Sequence, residues 1–198
     1  MKNSTKTTKA LLLIATALLS IGCGSSDSSV TAPSTQGEIA KINITQQEFL
    51  DAINKARSVA RDCYPNDPTR GIMKATHPLT WNNELYASAL EHSTDLATSD
   101  TFSHNGSGTS SDITGDGRPS QFFERIVANG YSNYYTVGEN IAGGQESLDE
   151  VMEAWLKSPG HCVNVMKDSY DEVGVAVVEN EDSTYQIYWT QNFGSTHK

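Results

Sequence analysis

The feature that most constrains this chain is a short helix with a defined start and end, within residues 147–160. Ser147 and Glu150 form a capping-box pattern, which begins a helix. The apolar residues that follow share one helical face at i, i+3 and i+7: Leu148, Val151 and Trp155. The sequence Ser158-Pro159-Gly160 ends the helix, because proline has no N–H to donate. His161 is therefore predicted just past a helix end, on a rigid turn.

A carboxylate precedes this helix. Glu139 lies in the run Gly-Glu-Asn-Ile-Ala-Gly-Gly at residues 138–144, where the glycines permit turns. An imidazole on a stiff turn, with a carboxylate one helix earlier, is typical of a functional site. Spacing alone equally allows a structural interpretation, in which Glu139 caps a loop and His161 bonds a backbone carbonyl.

The order of the remaining elements predicts the fold class. Helical patterns cover residues 45–61, 84–98 and 120–128, and residues 79–81 fit a short strand or a helix entry. Residues 172–179 and 184–193 are rich in β-branched and aromatic side chains and predict a hairpin. Because helices come first and the strong strands last, we expect an α+β fold with a small antiparallel sheet covered by helices.

The first forty residues do not belong to this fold. Residues 1–22 form a lipoprotein-type signal peptide, with three early lysines and a twelve-residue apolar run that is too short to cross a bilayer. The run ends at Gly22-Cys23, which resembles a lipobox and predicts lipidation of Cys23. Residues 23–40, rich in Ser, Thr and Gly, are expected to be a flexible tether, and residues 41–198 the folded domain. Gly24 after Cys23 resembles an outer-membrane sorting signal if the source is Gram-negative.

Charge limits the partners. The chain has 14 basic and 24 acidic residues, and loss of the leader's three lysines leaves a net charge of −13. Such an acidic domain repels phosphates, so we expect no nucleic-acid partner. The predicted lipid would instead supply attachment to a bilayer. A monomer is expected.

The three cysteines predict one disulfide. If Cys23 carries lipid, Cys63 and Cys162 are the pair left for an oxidising compartment. Two free or metal-binding thiols are the alternative. A Cys63–Cys162 bond would close a loop of about one hundred residues and would clamp His161 to the first helix.

Other polar residues have simpler interpretations. His92 lies within a helical pattern and is expected to be a core or boundary histidine, whereas His77 and His197 are expected to be solvated. The run from Asp112 to Gly117 partly resembles a calcium loop, but it lacks a third acidic ligand at alternate spacing and a closing Glu. A turn-rich, solvated loop is the preferred interpretation.

A set of motifs in register resembles a known family. In chain order the motifs are Phe102-Ser-His104, Gly130-Tyr131, Gly138-Glu-Asn-Ile-Ala-Gly143, Trp155-Leu-Lys-Ser-Pro-Gly-His161-Cys-Val-Asn164 and Trp189-Thr-Gln-Asn-Phe193. Together they resemble the bacterial branch of the CAP superfamily, which comprises cysteine-rich secretory, antigen 5 and pathogenesis-related 1 proteins, also called SCP domains. The resemblance covers residues 45–193. It implies an α-β-α sandwich with a cleft across one face.

The resemblance also implies site residues. Plant and animal members line the cleft with two His and two acidic residues that can bind a divalent metal; His104 and Glu139 match one of each. Ser158 and Tyr188 stand where those members have the helix acid and the second His. His161 of the bacterial turn could enter the same cleft.

The ligand chemistry of the cleft stays open at this point. His104, Glu139 and His161 would form a two-His, one-carboxylate set suited to Zn²⁺, or a metal-free hydrogen-bonded cluster. Asn140 and Asn164 are expected to line the cleft beside them.

Two functions follow from this sequence. The first is a tethered, exported binding module that presents the cleft to an envelope or extracellular ligand, because the chain offers no convincing nucleophile. The second is a metal-dependent, peptidase-like hydrolase in which Glu139 acts as base on a metal-bound water. The sequence leaves open whether the protein is an enzyme.

Overall fold

Helices cover both faces of a four-stranded sheet in the computed structural model, which describes residues 42–67 and 69–197. The elements in chain order are α1 (Gln46–Arg57), β1 (Thr80–Trp81), α2 (Asn83–Ser99), α3 (Phe122–Ala128), β2 (Thr136–Gly143), α4 (Leu148–Lys157), α5 (Pro159–Met166), β3 (Glu172–Glu179) and β4 (Ile187–Ser195). The predicted signal peptide, the lipidation site Cys23 and the whole tether lie outside the described residues.

The strand order of the sheet is β1-β3-β4-β2. β4 pairs antiparallel with both β2 and β3, and only the two-residue β1 is parallel to its neighbour β3. β2 is therefore an edge strand. The predicted α+β class with a small, largely antiparallel sheet between helical layers is confirmed.

The two faces of the sheet bury different side chains, as the alternation along β4 shows. Trp189 and Phe193 belong to a large apolar cluster with residues of α1, α4 and α5. Tyr188 and Thr190, on the opposite face, contact α2: Tyr188 packs in a cluster with Leu96, and Thr190 accepts a hydrogen bond from the Ser93 hydroxyl at 2.9 Å. This period-two alternation is the expected signature of a sheet covered on both sides.

The predicted helices are present, but the residues at which they begin and end differ from the prediction. The Thr45–Glu48 capping box begins α1, but the helix ends at Arg57 rather than Arg61. Arg57 is fully buried, and its guanidinium donates to backbone carbonyls of His77, Val165, Lys167 and Tyr170. The helix therefore ends at a residue whose hydrogen bonds connect the loop before β1 with the end of α5 and the segment that follows it.

Pro159 has a different role from the one predicted. It ends α4, as expected, but it also occupies the first turn of a new helix, α5, where its missing N–H has no intrahelical acceptor in any case. His161 is consequently on the first turn of a helix and not on a turn between elements. β2 was not predicted either, because its glycines hide the strand pattern.

The predicted disulfide is present. Cys63 and Cys162 are bonded, with their Cα atoms 5.5 Å apart. The bond joins the segment after α1 to the first half of α5, one residue from His161. Within the described residues, no helix is long and apolar enough to cross a membrane.

Candidate functional site

A buried carboxylate lies at the centre of the site. The side chain of Glu139, on β2, is 1% exposed, and both of its oxygens have partners. Oε1 accepts a hydrogen bond from His104 Nδ1 at 3.0 Å, and Oε2 accepts one from the Arg125 guanidinium at 2.9 Å. A carboxylate without such partners would be costly to bury, so these contacts explain its position.

His104 connects this buried group to solvent. Its side chain is 51% exposed and follows α2 by five residues, in the loop that leads to α3. Because an ionised carboxylate only accepts hydrogen bonds, the proton shared with Glu139 belongs to His104 Nδ1. The other ring nitrogen, Nε2, is then the one that can accept a hydrogen bond or a proton from a ligand.

Arg125, on α3, is the permanent cation of the site, and sequence reasoning missed it. One guanidinium nitrogen bonds both the Glu139 carboxylate and the His104 carbonyl, and the other bonds Ser120. Arg125 thus fixes the carboxylate and the loop of His104 together. No local pattern in the sequence distinguishes it from Arg118, which makes an exposed pair with Glu124.

His92, on α2, approaches Glu139 from inside the domain. Its ring is fully buried; Nε2 bonds the Ser103 carbonyl at 2.9 Å and lies 3.8 Å from Glu139 Oε1. The interpretation as a core histidine is confirmed, but this histidine supports the site from behind. Its place on the buried face of the helix, in register with Leu85, Ala89 and Leu96, was the available signal.

The ionisation of Glu139 follows from these neighbours. Burial raises the pKa of the Glu139 carboxyl, but the cationic form that His92 adopts in acid, the hydrogen bond from His104, and the charge and hydrogen bond of Arg125 outweigh it, so its pKa is lowered. Burial lowers the pKa of His92, so that ring is neutral near pH 7. Arg125 is therefore the partner that holds Glu139 ionised at neutral pH.

His161 faces His104 across the cleft. The ring centroids are 6.4 Å apart and the planes are inclined by 53°. Burial first, and the proximity of a second imidazole, that of His104, lower the pKa of His161. The fold thus brings His104 against Glu139, and His161 next to His104, although 57 residues separate the two histidines in sequence.

Asn140 and Asn164 lie behind the cleft and hold its walls. Asn140 is fully buried and donates to the His161 carbonyl and to Gln191. Asn164, on α5, donates to the Glu139 carbonyl and to the Asn140 amide oxygen. Contact of either amide with a ligand stays a prediction; their bonds place the backbones of Glu139 and His161 relative to each other.

The donor set does not fit the predicted zinc site. Within residues 42–67 and 69–197, no group of three or more His, Cys, Asp or Glu side chains is arranged to hold a metal ion. Both oxygens of Glu139 are bonded, one of them to a guanidinium that would repel a cation. The geometry supports a metal-free, hydrogen-bonded cluster of His104, Glu139 and Arg125; the predicted place of His161 in that cluster is not found, because its ring contacts His104 and not Glu139.

The cleft itself has a volume of about 460 Å³ and follows the end of β2. Two aromatic rings form part of its wall: Phe102 and Tyr185 are each 42% exposed, and their centroids are 4.9 Å apart. The whole lining consists of Phe102, Ser103, His104, Ile141, Ala142, Gly143, Gln145, Ala154, Trp155, Ser158, His161 and Tyr185. Among these described residues there is no Asp, Glu, Lys or Arg.

The loop that resembled a calcium site has a structural role. Asp112 is buried, and its carboxylate accepts backbone N–H groups of Gly108, Gly115 and Ser120. The loop therefore folds around this carboxylate, and the prediction of a solvated loop is wrong for Asp112. This core supports the segment between His104 and Arg125.

Comparison with known proteins identifies the family pattern. Residues 50–193 match the model of the Cysteine-rich secretory protein family, CAP. The uncharacterized protein YkwD from Bacillus subtilis (strain 168) is 39% identical over 71 residues, which is 36% of this chain and 25% of that protein. The match thus spans about a quarter of the length of this curated relative.

Solved structures share the fold. An extracellular protein containing an SCP domain, from Bacillus anthracis str. Ames, aligns with a TM-score of 0.54 and 22% identity over 75% of this chain and 39% of that chain. An outer surface protein from Borrelia burgdorferi aligns with a TM-score of 0.53 and 20% identity, over 77% of this chain and 96% of that one. At these identities the likeness concerns the fold alone.

Proposed function

Because the chain belongs to the cysteine-rich secretory protein (CAP) family, we propose that it is an exported binding module whose cleft holds an envelope or extracellular ligand. The observation that carries the proposal is the orientation of His104. Its Nδ1 donates to a buried, ion-paired carboxylate, so Nε2 is the ring nitrogen left to bond a ligand in a cleft that no Asp, Glu, Lys or Arg lines. Clefts with a few fixed polar groups among apolar walls are typical ligand sites.

Cleft variants test the proposal. The purified domain would be incubated separately with lipid, glycan and protein fractions of the source envelope, and retention of each fraction measured. We expect one fraction to be retained, with at least tenfold weaker binding by His104→Ala. His77→Ala is the matched control, because His77 is a half-exposed histidine paired with Asp171, outside the cleft lining. Equal retention by His104→Ala and the wild type would contradict the proposal.

The metal-dependent hydrolase is the less supported function. Glu139 would have to leave Arg125 and His104 to act as a base, and breaking a buried ion pair costs several kcal/mol. Its test is turnover of peptide substrates with and without chelator. Chelator-sensitive turnover that is lost in Glu139→Gln would favour the hydrolase over the binding module.

We place the module at a membrane through lipid on Cys23, with residues 23–40 as tether to the domain at 41–198. The lipobox-like sequence supports this, and two fold neighbours are an extracellular and an outer surface protein. In a Gram-negative source the location would be the periplasmic side or the outer membrane. Cys23→Ser should release the protein from membranes into the soluble fraction; a mature N-terminus other than Cys23 would contradict the anchor.

A further inference from the structure

We propose that the cleft binds an extended peptide of uncharged residues, which pairs backbone to backbone with Gly143 at the outer edge of β2. The inference rests on the proposed function and specifies its ligand. It starts from the register of β2, whose pairing with β4 determines which backbone groups point outward.

The register leaves alternate residues of β2 facing away from β4. The N–H of Gly144 donates to the Ile187 carbonyl at 2.9 Å, directly after the register pair Gly143 and Tyr188. In an antiparallel ladder, residues alternate between bonding the partner and pointing outward. The outward residues of β2 are therefore Val137, Glu139, Ile141 and Gly143.

Side chains cover the first three outward carbonyls. The carbonyl of Val137 accepts from the Tyr170 hydroxyl at 3.3 Å, that of Glu139 from Asn164 at 3.1 Å, and that of Ile141 from Trp155 Nε1 at 3.1 Å. Such caps prevent another strand from pairing along this part of the edge, which is a known way of protecting edge strands.

Gly143 is the next outward residue, and it lines the cleft. A Cβ at this position would lie 2.9 Å from Tyr185 Cγ and 3.3 Å from Phe102 Cε2. Glycine therefore permits the aromatic pair to cover one face of the strand end, while its backbone stays at the cleft edge. The edge opens for pairing where the series of side-chain caps stops.

The lining favours a peptide over the other ligand classes. A backbone N–H and C=O at a strand edge match an extended peptide, whose amides have the same spacing. An acyl chain would leave these backbone groups desolvated and unpaired, which is costly. The uncharged lining and the net charge of −10 favour a neutral segment over an acidic one.

The aromatic pair supplies the side-chain pocket. Phe102 and Tyr185 expose apolar surface beside Gly143, and burying an aromatic side chain on a partner is favourable. Since side chains alternate along a strand, one residue of the bound peptide would contact this pair and its neighbours would point away.

The experiment uses a positional-scanning library of acetylated, amidated hexapeptides of uncharged residues, with binding to the domain measured by fluorescence anisotropy. The tightest peptide is then resynthesised with a single N-methyl group at each position in turn. We expect an about tenfold loss of binding at one position, because that N-methyl group removes the backbone donor that pairs with the Gly143 carbonyl, and little change at the other positions. The Gly143 amide signal in the ¹⁵N–¹H spectrum should shift on binding.

Variants place the peptide in the cleft. Tyr185→Ala should weaken binding at least tenfold, and Tyr185→Phe should bind like the wild type. Tyr135→Ala, an exposed tyrosine outside the cleft lining, is the matched control and should change binding less than twofold.

Two results would overturn the inference. One is the absence of any hexapeptide that binds; the other is binding that ignores every N-methyl group. If N,N′,N″-triacetylchitotriose binds instead and depends on Tyr185 and His104, the ligand class is wrong while the proposed function stands. If neither probe depends on these residues, the proposed function fails as well.

Discussion

The two faces of the sheet bury different kinds of side chain. The face toward α1, α4 and α5 is filled by large apolar side chains and closed by the Cys63–Cys162 bond. The face toward α2 and α3 buries an ion pair, Arg125 with Glu139, and the imidazole of His92. The first arrangement gains free energy from apolar burial, whereas the second costs desolvation energy and fixes orientations.

The comparison indicates that one face mainly provides stability and the other mainly fixes the orientation of the site residues. Apolar contacts are non-directional, so they hold the layers together without specifying where any one atom lies. Charged hydrogen bonds have strict geometry, and those of Glu139 determine which His104 nitrogen is free in the cleft. A functional site can thus be precise because the opposite face provides the stability.

The disulfide gives the largest expected effect, on the apolar face. Replacement of Cys63 and Cys162 by Ala removes a cross-link between residues 99 apart in sequence. The chain-entropy account predicts a loss of roughly 4–5 kcal/mol in the free energy of unfolding. Chemical denaturation of the double variant measures the loss. A change below about 1 kcal/mol would mean that apolar packing alone closes this face.

Removal of the buried cation should have the next largest effect, on the polar face. Arg125→Met leaves the buried Glu139 carboxylate without its permanent counter-charge, at a cost of about 3 kcal/mol or more. Arg118→Met is the matched control, since it breaks an exposed pair with Glu124 and should cost less than about 1 kcal/mol. Similar losses in the two variants, measured by urea denaturation, would contradict the division between faces.

A single polar bond on the apolar face should have a smaller effect. Trp155→Phe removes the donor to the Ile141 carbonyl and leaves that buried carbonyl unpaired, at a cost of roughly 2 kcal/mol. Trp81→Phe removes a more exposed bond to Asn83 and should cost less than about 1 kcal/mol. Thermal denaturation compares the two. If the costs are equal, the cap on this edge of β2 does not stabilise the fold.

Acid should destabilise the site residues on both sides of the cleft in two stages, each with a modest loss in the free energy of unfolding. The pKa values of His92 and His161 are lowered in the folded state, so the unfolded chain binds more protons below about pH 6.5. The pKa of Glu139 is also lowered, so its contribution, present above about pH 4.3, is lost on further acidification. The free energy of unfolding should fall as pH drops through both ranges.

Histidine variants test which residue causes the loss of stability in the first stage, below about pH 6.5. His161→Gln should flatten the slope between pH 6.5 and 5, whereas His197→Gln, an exposed residue, should leave it unchanged. Denaturation at half-unit pH steps measures the slopes. A stability profile that is flat from pH 7 to 5 would contradict the destabilising burial of the two imidazoles.

Local sequence was sufficient for elements whose signals are local. The Thr45 and Ser147 caps begin α1 and α4, and Glu172–Glu179 is a strand over its predicted length. It was insufficient where a residue's role depends on distant partners. Gly138 to Gly143 has Ile141 as its one strong strand former, yet it becomes part of β2 because β4 supplies its hydrogen bonds.

Arg125 shows the same limit at the site. An arginine on a short helix is usually solvated, and only the arrangement of α3 against β2 places it 2.9 Å from Glu139. His92 was correctly interpreted as a core histidine, but its distance to Glu139 was not predictable from spacing along α2. The contact between Phe102 and Tyr185 was not predictable either, because the two residues are 83 positions apart in sequence.

The sequence by itself predicted most of the helices, the β3–β4 hairpin and the pairing of Cys63 with Cys162, and it carries the family motifs that include His104, Glu139 and His161. These depend on local periodicity, capping and residue type, which act over a few positions, and on the number of cysteines. Tertiary structure alone decided that Glu139 is ion-paired rather than free to bind a metal, and that Gly143 is the open end of an edge strand. Both depend on which side chains meet after the layers pack, because burial and pairing are properties of the assembled fold.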